Sequence, residues 1–175
     1  MCGGRGERLG MGEKPMIKIE GRRLIDYVLD ELWFCEVYGI TTAFTPKTED
    51  YLKSHGVKCL RTSGKGFIED YTEAILKLGL FEPVLIVSAD LIIFQKDLIL
   101  NIVEFYFKTD RPALKVVNKN REAIGINIID GMFYDCEQDE IEFVIDDNKI
   151  ININTAKDLM RALCLIRMKR REGEW

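Results

Sequence analysis

The amino-terminal fifteen residues constrain this chain more than any other stretch, because they combine a very flexible backbone with clustered positive charge. They read MCGGRGERLGMGEKP and contain five glycines, two arginines and a lysine. Glycines allow consecutive backbone N–H groups to point into one concavity, and a helix that starts shortly afterwards adds its positive dipole end. The stretch therefore predicts a loop that binds a polyanion such as a phosphate chain.

Two common phosphate loops do not fit this spacing. No Gly-Lys-Ser/Thr triplet follows the glycines, so a Walker A loop is excluded. The Gly4-x-Gly6 pair lacks a third glycine three residues later, which excludes the dinucleotide-binding fingerprint. For a short motif of this kind, the alternative is a surface turn that is simply rich in glycine.

Composition limits the class of protein. The 175 residues fit one domain, 1–175, and the 47% hydrophobic and 31% charged residues are ordinary for a soluble globular protein. A net charge of −4 argues against a nucleic-acid-coating protein, and no apolar run approaches the ~20 residues that span a bilayer. The five cysteines include no CxxC pair and are typical of reduced thiols, so we expect a cytoplasmic protein without nucleic-acid or membrane partners.

Hydrophobic periodicity predicts alternating helices and strands. Predicted helices cover 22–38, 46–55, 67–78, 96–107 and 155–168, and predicted strands cover 40–45, 57–60, 83–90, 113–117, 124–129, 141–145 and 150–154. The last helix should begin with a capping box of Thr155 and Asp158, and residues 169–175 should form a frayed, solvated tail. This cadence indicates a doubly wound, Rossmann-like α/β fold, whose ligands bind beyond the carboxyl ends of the strands.

The strand that should precede the glycine loop is almost missing. A phosphate loop needs a rigid strand to position it, and only Met1 and Cys2 are available. Either the first strand is stunted, or the start of the chain lies inside a longer reading frame. We expect the second, with an apparently truncated first strand.

One carboxylate is a candidate metal ligand. Asp90 ends the apolar run that begins at Pro83, where a carboxylate is costly unless it has a partner such as Mg²⁺. The alternative, a cap on the next helix, is less favoured because that helix begins several residues later.

The string from Gly3 to Gly10 with Lys14 and Pro15 resembles the GGxGxRLG…KP signature of nucleotidyltransferases that make sugar nucleotides and the molybdenum-cofactor guanine dinucleotide. Segments 62–70 (TSGKGFIED), 88–91, 125–127 and 151–159 narrow this resemblance to the archaeal adenosylcobinamide-phosphate guanylyltransferases. It implies a mixed, mainly parallel sheet with helices on both faces, of the nucleotide-diphospho-sugar transferase type. It also implies guanylyl transfer from GTP to adenosylcobinamide phosphate, by a monomer or homodimer that uses Mg²⁺.

The resemblance assigns roles to the residues of the glycine loop. It implies that the triphosphate lies on the backbone of Gly3, Gly4, Arg5 and Gly6, with Arg8 and Lys14 as catalytic cations. Lys14 is a mobile point charge that can follow charge building on the α-phosphate, whereas the planar Arg8 can hold two oxygens of the leaving pyrophosphate. A solvated lysine before a proline is the alternative for Lys14.

Other segments complete the implied site. The second metal ligand maps to Asn154 or, less favoured, to Asn152, although Asn154 could equally cap the last helix. The resemblance places Gly125 and Asn127 on the acceptor side. It places the base and ribose of GTP on the second glycine turn, at Thr62, Ser63, Gly64, Lys65 and Gly66. Glu69 and Asp70, which follow this turn, are interpreted as ordinary acids of a first helical turn.

Two other functions stay open at this point. One is a molybdenum-cofactor guanylyltransferase or a similar NTP transferase, with the same chemistry and a different acceptor. The other is a GTP-binding module without catalysis. The presence of Arg8, Lys14 and Asp90 together argues against such a module.

Overall fold

The computed structural model describes residues 1–4, 10 and 12–173, which form an α/β fold. The strands, numbered β1 to β10 in chain order, are Lys18–Ile19, Arg22–Arg23, Tyr38–Thr41, Lys58–Arg61, Pro83–Val87, Leu91–Ile93, Ala113–Val117, Ala123–Asp130, Glu140–Val144 and Ile150–Asn152. The α-helices, numbered α1 to α5, are Leu24–Leu29, Pro46–Ser54, Phe67–Leu78, Leu98–Tyr106 and Ala156–Glu172. Short 3₁₀ turns lie at Lys14–Met16, Asp30–Leu32 and Gly131–Phe133.

The main sheet consists of two parts that Met1 and Cys2 join. Strand β3 pairs with β4, and β5, β8, β7 and β9 form the other part in that order. Cys2 N–H donates to the carbonyl of Ile40 at 2.8 Å, while the Met1 amino group donates to Val87 O at 2.6 Å and Met1 O accepts from Ala89 N at 3.0 Å. These bonds follow a parallel ladder.

Among the described strands of this sheet, only β8 runs against the common direction, because β5–β8 and β7–β8 are antiparallel pairs and β3–β4 and β7–β9 are parallel. The predicted α/β class with a mixed, mainly parallel sheet is therefore confirmed. Separate from the main sheet, β6 pairs with β10 in an antiparallel ladder and β1 pairs with β2.

The apolar core forms where helices pack on the sheet. Buried side chains of α4, such as Ile99 and Ile102, belong to one apolar cluster with Val116 and Ile126 of the sheet. Helix α5 packs on β6 and β10 through a second cluster, and Cys2 belongs to a third. Burial raises the pKa of the Cys2 thiol, so this residue acts as a small apolar side chain.

Several predicted elements differ from the structure, including the strands predicted over 40–45 and 83–90, which are Tyr38–Thr41 and Pro83–Val87, and the strand Leu91–Ile93, which was not predicted. The first helix, predicted over 22–38, ends at Leu29 and continues only as one 3₁₀ turn to Leu32, because Tyr38–Thr41 pairs with β4 and this pairing overrides the helical period. The frayed tail is also wrong for 169–172, which continue α5 and place Arg170 Nη1 3.0 Å from the Glu20 carboxylate. In the part of the chain that the structure covers, no helix combines the length and apolarity needed to cross a membrane.

Glu49 connects α2 to β3 and β4 through a network of charged hydrogen bonds. Its side chain is buried and accepts from Lys53 Nζ at 2.6 Å, Arg61 Nε at 2.9 Å and Thr41 Oγ1 at 3.1 Å. The hydrogen bonds from Lys53 and Arg61 lower the pKa of Glu49 from 4.5 to about 2. The folded state therefore holds this carboxylate in its charged form.

This network makes the stability of the fold sensitive to pH in the acidic range. The unfolded chain takes up a proton at Glu49 near pH 4.5 and the folded chain only near pH 2, so stability is lost as pH falls through this window. We expect the free energy of unfolding of Glu49→Gln to fall less across this pH window, by roughly 1–3 kcal/mol. Urea unfolding at successive pH values measures this difference. The exposed Glu104→Gln variant is the control, and an unchanged pH slope in Glu49→Gln would contradict the assignment.

Candidate active site

Lys14 lies between the two residues that the sequence indicates as metal ligands. Its Nζ atom donates to Asp90 Oδ2 at 2.9 Å and to Asn154 Oδ1 at 2.7 Å. The Lys14 and Asp90 side chains are 15% and 20% exposed, so the pair is largely buried but still reached by solvent. Asp90 and Asn154, which are 76 and 140 positions from Lys14 in the sequence, thus meet at its Nζ atom.

Antiparallel pairing brings Asp90 and Asn154 together. Asp90 lies between β5 and β6, and its carbonyl accepts from Ile153 N–H at 2.9 Å as an extension of the β6–β10 ladder. Thr155, and not Asn154, caps α5, since Thr155 Oγ1 accepts from Asp158 N in the predicted capping box. The amide oxygen of Asn154 is therefore directed to Lys14.

Glu13 fixes the end of the glycine loop that carries Lys14, a role that the sequence did not indicate. Its carboxylate accepts from the N–H groups of Lys47 and Thr48 at 3.0 and 2.7 Å and from Thr48 Oγ1 at 2.7 Å. These N–H groups begin α2, where the helix dipole favours a negative charge. Glu13 therefore attaches the residue next to Lys14 to a rigid helix.

The second glycine turn is held by two acids of α3. Ser63 N–H donates to Glu73 at 2.9 Å, and Gly64 N–H donates to Asp70 at 2.8 Å. Hydrogen bonds from Lys77 and from Ser63 lower the pKa of Glu73 to about 2. The interpretation of Asp70 as an ordinary acid of the first helical turn is wrong, because this buried carboxylate holds the turn.

Gly3 brings the two glycine turns together. A Cβ atom at Gly3 would lie 2.7 Å from Thr42 Cγ2 and 3.3 Å from Asp70 Oδ2, so only glycine allows this approach without displacement. Thr42 Oγ1 also donates to the carbonyl of Gly3 at 3.2 Å. The start of the glycine loop and the turn predicted to bind the base therefore share Asp70 as a neighbour.

We expect Asp70→Ala to weaken binding of GTP, the nucleotide that the resemblance implies, about tenfold, or ~1.4 kcal/mol, with kcat within twofold, because the turn at Gly64 loses the carboxylate that holds it. The unpaired Gly64 N–H should also lower stability by roughly 1–3 kcal/mol. Calorimetric titration with GTP and thermal unfolding measure the two effects. The exposed Glu69→Ala on the same helical turn is the control, and an unchanged GTP affinity in Asp70→Ala would contradict the role.

The predicted acceptor residues lie on one face of β8. Gly125, at φ +96°, accepts from Ser88 N–H at 2.8 Å, and a Cβ atom there would lie 2.6 Å from Ser88 Oγ. Asn127 lies on the same face and pairs with Ile86. Asn152 donates from Nδ2 to the carbonyl of Ile124 at 2.9 Å, and its buried Oδ1 has no hydrogen-bond partner among the described residues.

The remaining predicted residues are distributed as follows. Thr62 is buried and donates from both N and Oγ1 to the carbonyl of Thr41. Gly66 precedes α3, and Gly4 is exposed beside Gly3. The predictions for Arg5, Gly6 and Arg8 lie outside the described residues.

The donor set suits a hard cation that also binds a substrate. No group of three or more His, Cys, Asp or Glu side chains forms a metal cage in the described part of the chain. One carboxylate and one amide oxygen converge instead on a single cationic atom, the number of protein ligands that Mg²⁺ takes when phosphates and water complete its shell. This arrangement suits a cation that is bound together with a polyphosphate.

Fold and site together are those of a nucleotidyltransferase. The chain belongs to the family of MobA-like NTP transferase domains, whose model matches residues 1–152. It is 37% identical over 193 residues to the adenosylcobinamide-phosphate guanylyltransferase of Methanocaldococcus jannaschii, with 95% of each chain covered.

Solved structures agree on the fold. The chain is similar to the molybdopterin-guanine dinucleotide biosynthesis protein A of Archaeoglobus fulgidus, with a TM-score of 0.70, 20% identity and coverage of 95% and 96% of the two chains. It is also similar to an apo UDP-glucose pyrophosphorylase, with a TM-score of 0.74, 14% identity and 97% coverage of both chains. The predicted nucleotide-diphospho-sugar transferase type is therefore confirmed.

Proposed function

We propose that this protein transfers the guanylyl group of GTP to the phosphate of adenosylcobinamide phosphate and releases pyrophosphate. The observation that carries the proposal is the 37% identity, over 95% of both chains, to a relative that bears this activity in its name. The meeting of Lys14, Asp90 and Asn154 at one point supports a catalytic role over passive GTP binding, because a passive binder needs no such cluster.

The reaction is an in-line displacement at phosphorus. An oxygen of the acceptor phosphate attacks the α-phosphorus of GTP, a new P–O bond forms, and the bond to the oxygen that bridges the α- and β-phosphates breaks. The acceptor phosphate is mostly dianionic at neutral pH, so no general base is required. This agrees with the position of His55, which is exposed and has its Nδ1 2.8 Å from the carbonyl of Tyr51.

Lys14 stabilises the charge that builds in the transition state. Its flexible stem can move the ammonium group from Asp90 to the α-phosphate, where negative charge develops as pyrophosphate leaves. Glu13 holds the neighbouring backbone on α2, so only the side chain has to move. Arg8 is proposed to neutralise the leaving pyrophosphate.

Asp90 and Asn154 are the residues that would hold Mg²⁺. When bound, Mg²⁺ neutralises charge on the phosphates that it contacts. Lys14 Nζ now lies between these two oxygens, so the ammonium group and the cation compete for the same ligands. For Asp90 and Asn154 to hold Mg²⁺, the Lys14 ammonium group would have to move away from them.

The second glycine turn supports a preference for guanine. The N–H groups of Ser63 and Gly64 already donate to α3, so the turn offers its carbonyl oxygens to the base. Carbonyls accept hydrogen bonds, and guanine presents an N1–H and an amino group on its Watson–Crick edge. Adenine lacks the N1–H donor, and the turn should therefore disfavour ATP.

Pyrophosphate release with adenosylcobinamide phosphate, measured with GTP, ATP, CTP and UTP in turn, tests this function. With the acceptor present, we expect rapid release of pyrophosphate from GTP and not from the other three nucleotides. We expect no release from GTP when the acceptor is omitted. Equal rates with all four nucleotides would contradict guanine selection. Release that does not require the acceptor would contradict the transfer reaction.

A further inference from the structure

One face of the sheet formed by β8, β7 and β9 is polar and partly exposed. The other face is covered, because side chains such as Leu114, Val116 and Ile126 lie in one apolar cluster with α4. Side chains alternate between the two faces of a strand, so Lys115 and Asn127 lie on the opposite face, and both are only partly buried. We refer to this polar side of β8, β7 and β9 as the open face.

Three polar side chains form a row across the open face. Asn127 of β8 is directly opposite Lys115 of β7, and Lys115 is aligned with Glu142 of β9. Glu140, on the same side of β9, has a carboxylate oxygen 3.5 Å from Lys115 Nζ. The side chains of Lys115 and Glu142 are 34% and 32% exposed, so a ligand can reach them.

Arg121 reaches the same row from the turn between β7 and β8. Its guanidinium group donates to the carboxylate of Glu142 on β9. Its backbone has φ +65°, a left-handed conformation that a residue other than glycine rarely adopts. Asn118 holds the turn, since its side-chain oxygen accepts from the N–H groups of Asn120 and Glu122 at 2.9 and 3.0 Å. The turn thus keeps Arg121 in a costly conformation, as is common at binding sites.

The open face extends away from the reaction centre. The carbonyl of Gly125 accepts from the N–H of Ser88, two residues before Asp90, at 2.8 Å. Asn127 pairs with Ile86, four residues before Asp90. Because a strand rises about 3.3 Å per residue and neighbouring strands are about 5 Å apart, the row lies roughly 15–20 Å from Asp90. A large acceptor can span this distance, and a small one cannot.

The nucleotide is predicted to bind on the other side of Asp90. In the main sheet, β8 lies beyond β5, whereas the two glycine turns lie next to β3, where the carbonyl of Gly3 accepts from Thr42 Oγ1. In-line displacement requires the attacking and leaving oxygens to lie on opposite sides of the phosphorus. The open face is therefore on the side from which the acceptor should approach.

The charges of the row suit a ligand that carries neutral amides. Lys115 and Arg121 are positive and Glu140 and Glu142 are negative, so these four charges cancel. The carboxylates would repel a polyanion. A primary carboxamide, in contrast, offers N–H donors to a carboxylate and a carbonyl acceptor to a cation. Exposed ion pairs contribute little to stability, so the present pairs can open at little cost when such a ligand binds.

We propose that the open face binds the macrocycle of the acceptor through the carboxamides on its rim, with Lys115, Arg121, Glu140 and Glu142 as specificity-determining residues. The inference rests on the proposed function, because adenosylcobinamide phosphate carries its phosphate on a short arm and has acetamide and propionamide groups around a large ring. With the phosphate at Asp90, the rim of the ring reaches the row. A pterin phosphate held at Asp90 does not reach it.

A double variant, Lys115→Met with Arg121→Gly, tests the open face. Glycine adopts positive φ without steric cost, so Arg121→Gly removes the guanidinium group and keeps the turn. We expect the KM for adenosylcobinamide phosphate to rise about tenfold, with kcat and the KM for GTP within about twofold of the parent values. Lys119→Met removes a cation that pairs with Asp146 from the same turn, and this control should keep the parent constants.

Three kinetic outcomes would overturn the inference in a parent protein that uses adenosylcobinamide phosphate. The first is an unchanged KM for this acceptor in the double variant. The second is an equal rise in the KM for GTP, which would assign the effect to the fold and not to the acceptor. The third is the same rise in Lys119→Met, which would show a general effect of surface charge.

Binding of cobinamide, which has the macrocycle but lacks the phosphate, separates this inference from the proposed activity. Equilibrium dialysis followed at the visible absorbance of the corrin ring measures binding without GTP or turnover. We expect the double variant to bind cobinamide about tenfold more weakly than the parent. A parent that shows this difference but transfers no guanylyl group would contradict the proposed function and leave the macrocycle site supported. No binding by the parent, or equal binding by parent and variant, would overturn the macrocycle site.

Discussion

We expect replacement of Asp90 by asparagine to lower the rate of guanylyl transfer roughly a thousandfold and to leave the fold intact. The substitution keeps the size of the side chain but removes its negative charge. Among the described residues, Asp90 is the only carboxylate that accepts a hydrogen bond from Lys14 Nζ, and Asn154 is the other acceptor. A neutral amide would hold Mg²⁺ weakly and would no longer attract the ammonium group. Single-turnover pyrophosphate release at saturating GTP and Mg²⁺ measures the loss.

The stability of this variant separates chemistry from folding. Asp90 is 20% exposed, so solvent screens its ion pair with Lys14 and its contribution to stability is small. We expect a melting temperature within about 3 °C of the parent. Asp110→Asn, at an exposed position between α4 and β7, should retain full activity. Normal activity of Asp90→Asn would remove this residue from the site.

We expect replacement of Lys14 by methionine to produce the second large effect, a fall in kcat of about a hundredfold with little change in KM. The methionine keeps most of the stem volume and removes only the charge, which the proposed mechanism uses most strongly in the transition state. Steady-state kinetics with GTP as the varied substrate measure both constants. An unchanged kcat with a raised KM would show that Lys14 only binds GTP.

The same variant tests the competition between Lys14 and the metal without using activity. In the nucleotide-free protein, Nζ lies between Asp90 and Asn154, so its removal should allow Mn²⁺ to bind several-fold more tightly when followed by electron paramagnetic resonance. The exposed Lys18→Met is the matched control and should bind Mn²⁺ as the parent does. Equal Mn²⁺ affinity in the parent and in Lys14→Met would contradict the competition.

The local elements of the fold were largely predictable from sequence. Helix α3 has its predicted bounds, and the Thr155 capping box forms, because both depend on residues close together in the chain. The first helix was predicted too long because pairing of Tyr38–Thr41 with a strand about twenty residues later decides the structure there. Helical periodicity does not contain that information.

The side chains that meet in the candidate site were predictable from sequence, but the residues that hold its loops in place were not. The sequence indicated Lys14, Asp90 and Asn154, and the structure brings these three together. The functions of Glu13 and Asp70 depend on partners that only the fold brings near, namely the start of α2 and the turn at Gly64. An isolated glutamate or aspartate carries no sequence signal for such contacts.

For the glycine loop, too, the chemistry was predictable from sequence and the contacts were not. Its composition indicated phosphate binding, whereas the close approach of Gly3 to Thr42 and Asp70 required the fold.

Transfer of label from α-labelled GTP is the most direct test of the proposed activity. Adenosylcobinamide phosphate, the pterin phosphate of the molybdenum cofactor and a sugar phosphate would be offered separately at equal concentration, and the products separated by chromatography. We expect label to enter a guanosine-diphosphate conjugate of adenosylcobinamide and neither of the other acceptors. Label in the pterin or sugar product alone would contradict the proposed activity.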